Sequence, residues 1–131
     1  MADAELDGVG VLVTRPRTQA TALVSAIEDA GGSAFCFPVM DIAAIDEHIV
    51  STRVAKLAKP DIVIFVSRNA VEYGIRYTGG GRIAVIGPAT AAAVAAAGHF
   101  VDIQPAAGFD SEHLLSEPDL NDVADKQIRI I

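Results

Sequence analysis

Three short stretches put hydroxyl, guanidinium and amide groups where an apolar run gives way to a helical pattern: Thr14-Arg15-Pro16, Ser67-Arg68-Asn69 and Gly87-Pro88-Ala89-Thr90. The first amides of a helix have no partner inside it, and with a hydroxyl or guanidinium nearby they suit an oxyanion such as a carboxylate or phosphate. The same residue types also cap helices, and taken locally capping is the plainer reading. The chemistry on offer is binding and positioning of anions.

Other chemistries find little support. The stretch GPATAAAVAAAG contains neither G-x-G-x-x-G nor a Walker lysine, so it is no nucleotide fingerprint, and its alanines suit a helix packed close to a sheet. No serine stands in a G-x-S-x-G elbow, and Asp41, Asp46, Asp61 and Asp110 are spread over turns and strand starts without forming a dyad. His48 and His113 fall on helix surfaces and His99 in a turn, none at metal-ligand spacing, so no metal is expected. The single cysteine, Cys36, stands between Phe35 and Phe37 and reads as a core thiol.

The bulk numbers are compatible with a local anion site but not with a polyanion-binding surface. Seventeen acidic against ten basic residues give a net charge of −7, and the basic residues form no block, which argues against nucleic acid or anionic membrane as partner. With 131 residues, 51% of them hydrophobic, the chain has the size of one ordinary domain and can bury a core. The polar start of the chain lacks the layout of a signal peptide and no apolar run is long enough for a membrane span, so a cytoplasmic enzyme or binding protein is expected.

The elements that must position the three stretches alternate regularly. Gly8 to Thr14 reads as a buried strand, followed by a helix capped by Thr18, with Leu23, Ile27 and Ala30 on one face and Gly31-Gly32 as its stop. Ser33 to Phe37 is a second strand, Pro38 opens an extended stretch to about Ile45, and Glu47 to Ala58 suits a helix. Then come a strand Asp61 to Val66, a helix from about Asn69 to Tyr77, a Gly79-Gly80-Gly81 turn, a strand Arg82 to Ile86 and a helix Ala89 to Ala97. After Gly98 a short strand runs through Ile103, Asp110 or Ser111 caps a short helix, and Gln127 to Ile131 reads as a last strand. This rhythm predicts an α/β doubly wound architecture with a parallel sheet covered on both faces, and it puts the three stretches at carboxyl ends of strands, where such sheets bind ligands.

Taken together, "VLVTRPRTQA", "FCFPVMDI", "DIVIFVSRNAVEYG", "IAVIGPATAAAVAAAG" and "GFDSEHLLSEPDLNDV" resemble, in order and spacing, the amino-terminal half of the uroporphyrinogen-III synthase family. The resemblance implies a cofactor-free lyase of tetrapyrrole (haem, sirohaem, cobalamin) biosynthesis, which cyclises hydroxymethylbilane with loss of water and inversion of ring D. It implies two α/β domains with the substrate in the cleft between them: residues 1–32 as the first strand and helix of domain 1, 33–44 as inter-domain linker, and 45–131 as a domain 2 truncated at its carboxyl end. Carried over residue by residue, it makes Ser67, Arg68, Asn69, Pro88, Ala89 and Thr90 substrate-binding on the second domain and Thr14 and Arg15 on the first. Ser111 and Glu112 match a Ser-Glu pair read first as a cap, Asp125 stands where a glycine commonly precedes the last strand, and a tyrosine associated with catalysis has no counterpart. No catalytic residue is assigned. A polycarboxylate substrate folded by amides and hydroxyls needs no strong base, so positioning would carry the catalysis.

A reading from a different class stays open: a non-catalytic α/β module that binds anions or a partner. Because the sequence stops within a strand pattern at Ile128, Ile130 and Ile131, the enzyme reading also expects no ring-closing activity from this chain alone, and self-association through strand pairing or segment exchange.

Overall fold

The computed structural model describes residues 5–131; Met1 to Ala4, where the polar start of the chain lies, are outside them. The chain divides into two compact units, the first ending at Ala44 and the second running Ile45–Ile131.

In the first unit, β1 (Gly10–Val13) and β2 (Ser33–Cys36) form a parallel pair in the register Gly10↔Ser33 to Val13↔Cys36, joined by helix α1 (Arg17–Asp29). Val13, Ala20 and Ile27 make its small core, with Leu6, Val11, Val24 and Ala34 packed around them. The glycine stop works as expected: Gly31 is left-handed at φ 84°, and the Gly31 and Gly32 amides donate to Glu28 and Ile27 carbonyls, each at 2.9 Å. Thr18 is not the cap. The helix begins one residue before it, after Pro16, which supplies a preset φ of −48° and no side-chain hydrogen bond. Nor is Cys36 a core thiol, since it is exposed; the core of this unit closes over Ala34, two residues earlier.

The second unit contains α2 (Glu47–Val54), β3 (Ile62–Phe65), α3 (Arg68–Gly74), β4 (Arg82–Val85), α4 (Pro88–Ala96), α5 (Ser111–Leu115) and β5 (Ile128–Ile130). Single 3-10 turns at Ile75–Tyr77 and Pro118–Leu120 follow α3 and α5. All three strands are parallel, in the order β4-β3-β5. Alternate residues of β3 feed opposite faces, as the unbroken apolar run requires. Ile62 and Ile64 pack with Ala84, Ile103, Leu114 and Leu120, while Val63 and Phe65 pack with Val71, Ile83, Val85 and Val94. The sheet is thus covered on both faces.

Two expected elements are shorter. Helix α2 stops at Val54, not Ala58, and none of its residues is buried, so no core contact extends it. The stretch through Ile103 is an isolated parallel bridge to Ala84, held by a reciprocal pair in which the Asp102 amide donates to the Ile83 carbonyl at 2.8 Å and the Ile83 amide to Asp102 Oδ2 at 2.7 Å.

Candidate functional site

Strands β3 and β4 lie side by side with Phe65 opposite Val85, so the chain leaves both at one edge of the sheet. Ser67-Arg68-Asn69 follows β3 and Gly87-Pro88-Ala89-Thr90 follows β4, and the fold therefore brings these candidates to the same carboxyl edge. Complete burial of Phe65 and Val85, both 0% exposed, fixes where the two loops start.

Ser67 is extended, at φ −159° and ψ 167°, and caps α3: its Oγ accepts the Ala70 amide at 3.1 Å. Its own O–H remains a donor. Arg68 is exposed and has no ionic or hydrogen-bonded partner among the described residues. Three other arginines are engaged: Arg76 with Glu47 and Arg82 with Asp119, both at 2.7 Å, and Arg129 with the Tyr77 and Ala58 carbonyls at 2.6 and 3.1 Å. Those carboxylates raise the Arg76 and Arg82 pKa values, chiefly through the hydrogen bonds to Glu47 and Asp119. Asn69 is half-buried. At α4 the start is differently made: Gly87 offers no capping side chain and Pro88 no N–H, which leaves the Ala89 amide as the first donor. Pro88 and Ala89 are exposed. Thr90 is only 7% exposed, and its amide donates to the Gly87 carbonyl at 3.1 Å.

Thr14 and Arg15 stand at the carboxyl end of β1, in the first unit. Both are exposed; the Thr14 carbonyl accepts the Val39 amide at 3.4 Å, and Arg15 has no ionic partner among the described residues. A surface hollow in that unit, lined by Arg17, Pro38, Val39, Met40 and Asp41, includes neither of them. No group of His, Cys, Asp and Glu able to hold a metal occurs among the described residues, and no helix there is long and apolar enough to cross a membrane.

Residues 21–130 match the family model described as Uroporphyrinogen-III synthase HemD. The chain belongs to the uroporphyrinogen-III synthase family. It is similar to the uroporphyrinogen-III synthase of Salmonella typhimurium (strain LT2), with 30% identity over 132 aligned positions, covering 94% of this chain and 54% of that protein. The chain thus spans about half the length of the curated relative it matches.

Against that family pattern two details stand out. The Ser111-Glu112 pair opens α5, but the cap is Asp110, whose carboxylate accepts the His113 amide at 2.9 Å and lies 2.7 Å from its ring Nδ1. The amide bond, then the ring contact, hold the Asp110 carboxyl below its usual range. Asp125, standing where the family resemblance puts a glycine, has φ 62° and is the one left-handed non-glycine residue among those described. The sequence carries no signal for one neighbour of the site: Phe109, whose Cβ lies 3.7 Å from where a Cβ on Gly87 would stand.

Proposed function

We propose that this chain is the amino-terminal portion of a uroporphyrinogen-III synthase and that the shared edge of β3 and β4 binds hydroxymethylbilane through its carboxylates or departing hydroxyl. The observation that carries this is the convergence of the Ser67–Asn69 and Pro88–Thr90 loops on one edge, with the exposed, unpaired Arg68 in the first of them. Family membership supplies the reaction class, a lyase acting in tetrapyrrole synthesis. Thr14 and Arg15 offer the same donor chemistry at the end of β1 and belong to the proposal, as does the division into residues 1–32, 33–44 and 45–131. Protonation of the terminal hydroxyl and its loss as water leave an azafulvene cation; the substituted α-carbon of ring D attacks it to form a spiro intermediate. The bond from that carbon to its original methylene breaks, the methylene rejoins ring D at the other α-carbon, and loss of a proton restores the pyrrole. Positioned amides and hydroxyls assist that step by holding the folded chain, with no cofactor required.

Coverage of about half the relative supports one further reading, that the 131-residue chain alone does not close the ring; a second, proposed beside it, is that the chain self-associates. Exposed Leu12 and Phe35, register partners on the sheet face away from the core of the first unit, favour the second. The direct test of the site is Ser67→Ala with Thr90→Ala in the complete protein. Each hydrogen bond to a charged group is worth roughly 1.5–3 kcal/mol, so ring closure or product affinity should fall at least tenfold; unchanged turnover and affinity in a folded variant would leave Ser67 a cap only.

A further inference from the structure

Phe109 is 65% exposed, yet its surroundings hold it in place. Gly108 before it is left-handed, at φ 77°, and the His113 ring fills the space that a side chain there would need. Asp110 after it caps α5 and meets the same His113 through amide and ring, at 2.9 and 2.7 Å. The helix is in turn anchored by Leu114, 3% exposed in the core. Both neighbours of Phe109 are therefore fixed by one histidine, and Phe109 contributes nothing to the core that Leu114 and Leu120 fill. Its Cβ lies 3.7 Å from where a Cβ on Gly87 would stand, which puts the side chain's root beside the start of the α4 loop that carries the Ala89 amide and Thr90.

Donors for an oxyanion with an aromatic side chain beside them complement a ligand that is both anionic and flat. Resting on the function proposed above, we propose that Phe109 is a substrate-contacting specificity residue: it packs against one pyrrole ring of the tetrapyrrole while Arg68 and the Pro88–Thr90 loop take carboxylates. This contact separates a pyrrole-bearing polycarboxylate from an aliphatic one, which the donors alone would not do. The Asp110–His113 contact acts as a positioning device for the ring.

The test uses the complete protein with Phe109→Ala and Phe109→Tyr, reading KM and kcat for hydroxymethylbilane, inhibition by the aliphatic tricarboxylate tricarballylate, and Tm. Expected for Phe109→Ala is a KM raised roughly 2–10-fold, the worth of one aromatic contact, with tricarballylate inhibition and Tm unchanged and with KM restored in Phe109→Tyr. Wild-type kinetics in Phe109→Ala would overturn the proposal and leave the function reading standing. Loss of tricarballylate inhibition and Tm together, without rescue by tyrosine, would make Phe109 a loop support and overturn it too. If the wild-type protein converts no hydroxymethylbilane, the function reading fails first and takes this proposal with it.

Discussion

Asp61 and Gln127 clasp each other across the start of β3 and β5: the Asp61 amide donates to the Gln127 carbonyl at 2.8 Å, and the Gln127 amide donates to Asp61 Oδ2 at 2.8 Å. The clasp sets the register in which Ile62 faces Ile128, and with it the far edge of the strand that carries Ser67. Asp61→Ala removes the side-chain half and should cost about 1 kcal/mol in chemical denaturation. Amide exchange should quicken at Gln127 and along β5; stability and exchange equal to wild type would show that the backbone pairing alone holds β5.

Gly81 is required for a different reason. A Cβ there would stand 2.8 Å from the Pro60 carbonyl oxygen and 3.3 Å from the Asp61 carbonyl, backbone atoms that cannot step aside. Gly81→Ala should destabilise the second unit by roughly 1–3 kcal/mol, measured by denaturant unfolding. A neutral result would mean that the turn before β4 relaxes freely.

Asp125 gives the opposite expectation. Its left-handed backbone is disfavoured for any residue with a Cβ, so Asp125→Gly should raise stability by up to about 1 kcal/mol. A loss of stability would show that the carboxylate supports the turn.

Acid should loosen the unit through two exposed carboxylates. Asp110 is held below its usual pKa by the His113 amide and ring, and Asp119 by its hydrogen bond to Arg82. A depressed carboxylate contributes stability above its unfolded pKa and loses it as pH falls through its folded one. Thermal unfolding from neutral pH downward should therefore show a decline below the usual carboxylate range, shallower in a variant with Asp110→Asn and Asp119→Asn. Identical acid limbs would assign the decline to other groups.

Arg15 and Arg68, exposed and unpaired in an acidic chain, should draw in a polyanionic substrate. In the complete protein, Arg15→Ala with Arg68→Ala should raise KM and flatten its dependence on ionic strength. Equal salt dependence in both proteins would remove steering as their role.

Much of this fold is written in local signals. The run Ile62–Phe65 has four apolar residues in succession and is buried on both faces, and the glycines at 31 and 98 end α1 and α4 through the same pair of backbone hydrogen bonds. Alternation then places the loops after β3 and β4 at one edge without further information. The errors arise where tertiary context decides. Cys36 has two aromatic neighbours in sequence but lies exposed, α2 has helical residues but buries none of them, and Thr18 yields to the preset backbone of Pro16. The proximity of Phe109 to Gly87 is not legible in the sequence, because it spans a loop that no periodicity describes.

The most direct measurement offers hydroxymethylbilane to the complete protein and to the 131-residue chain and identifies the macrocycle formed. The expected result is uroporphyrinogen III from the complete protein and none above the uncatalysed background from the chain alone. A folded complete protein that forms no uroporphyrinogen III would contradict the synthase reading and leave an anion-binding α/β module in its place.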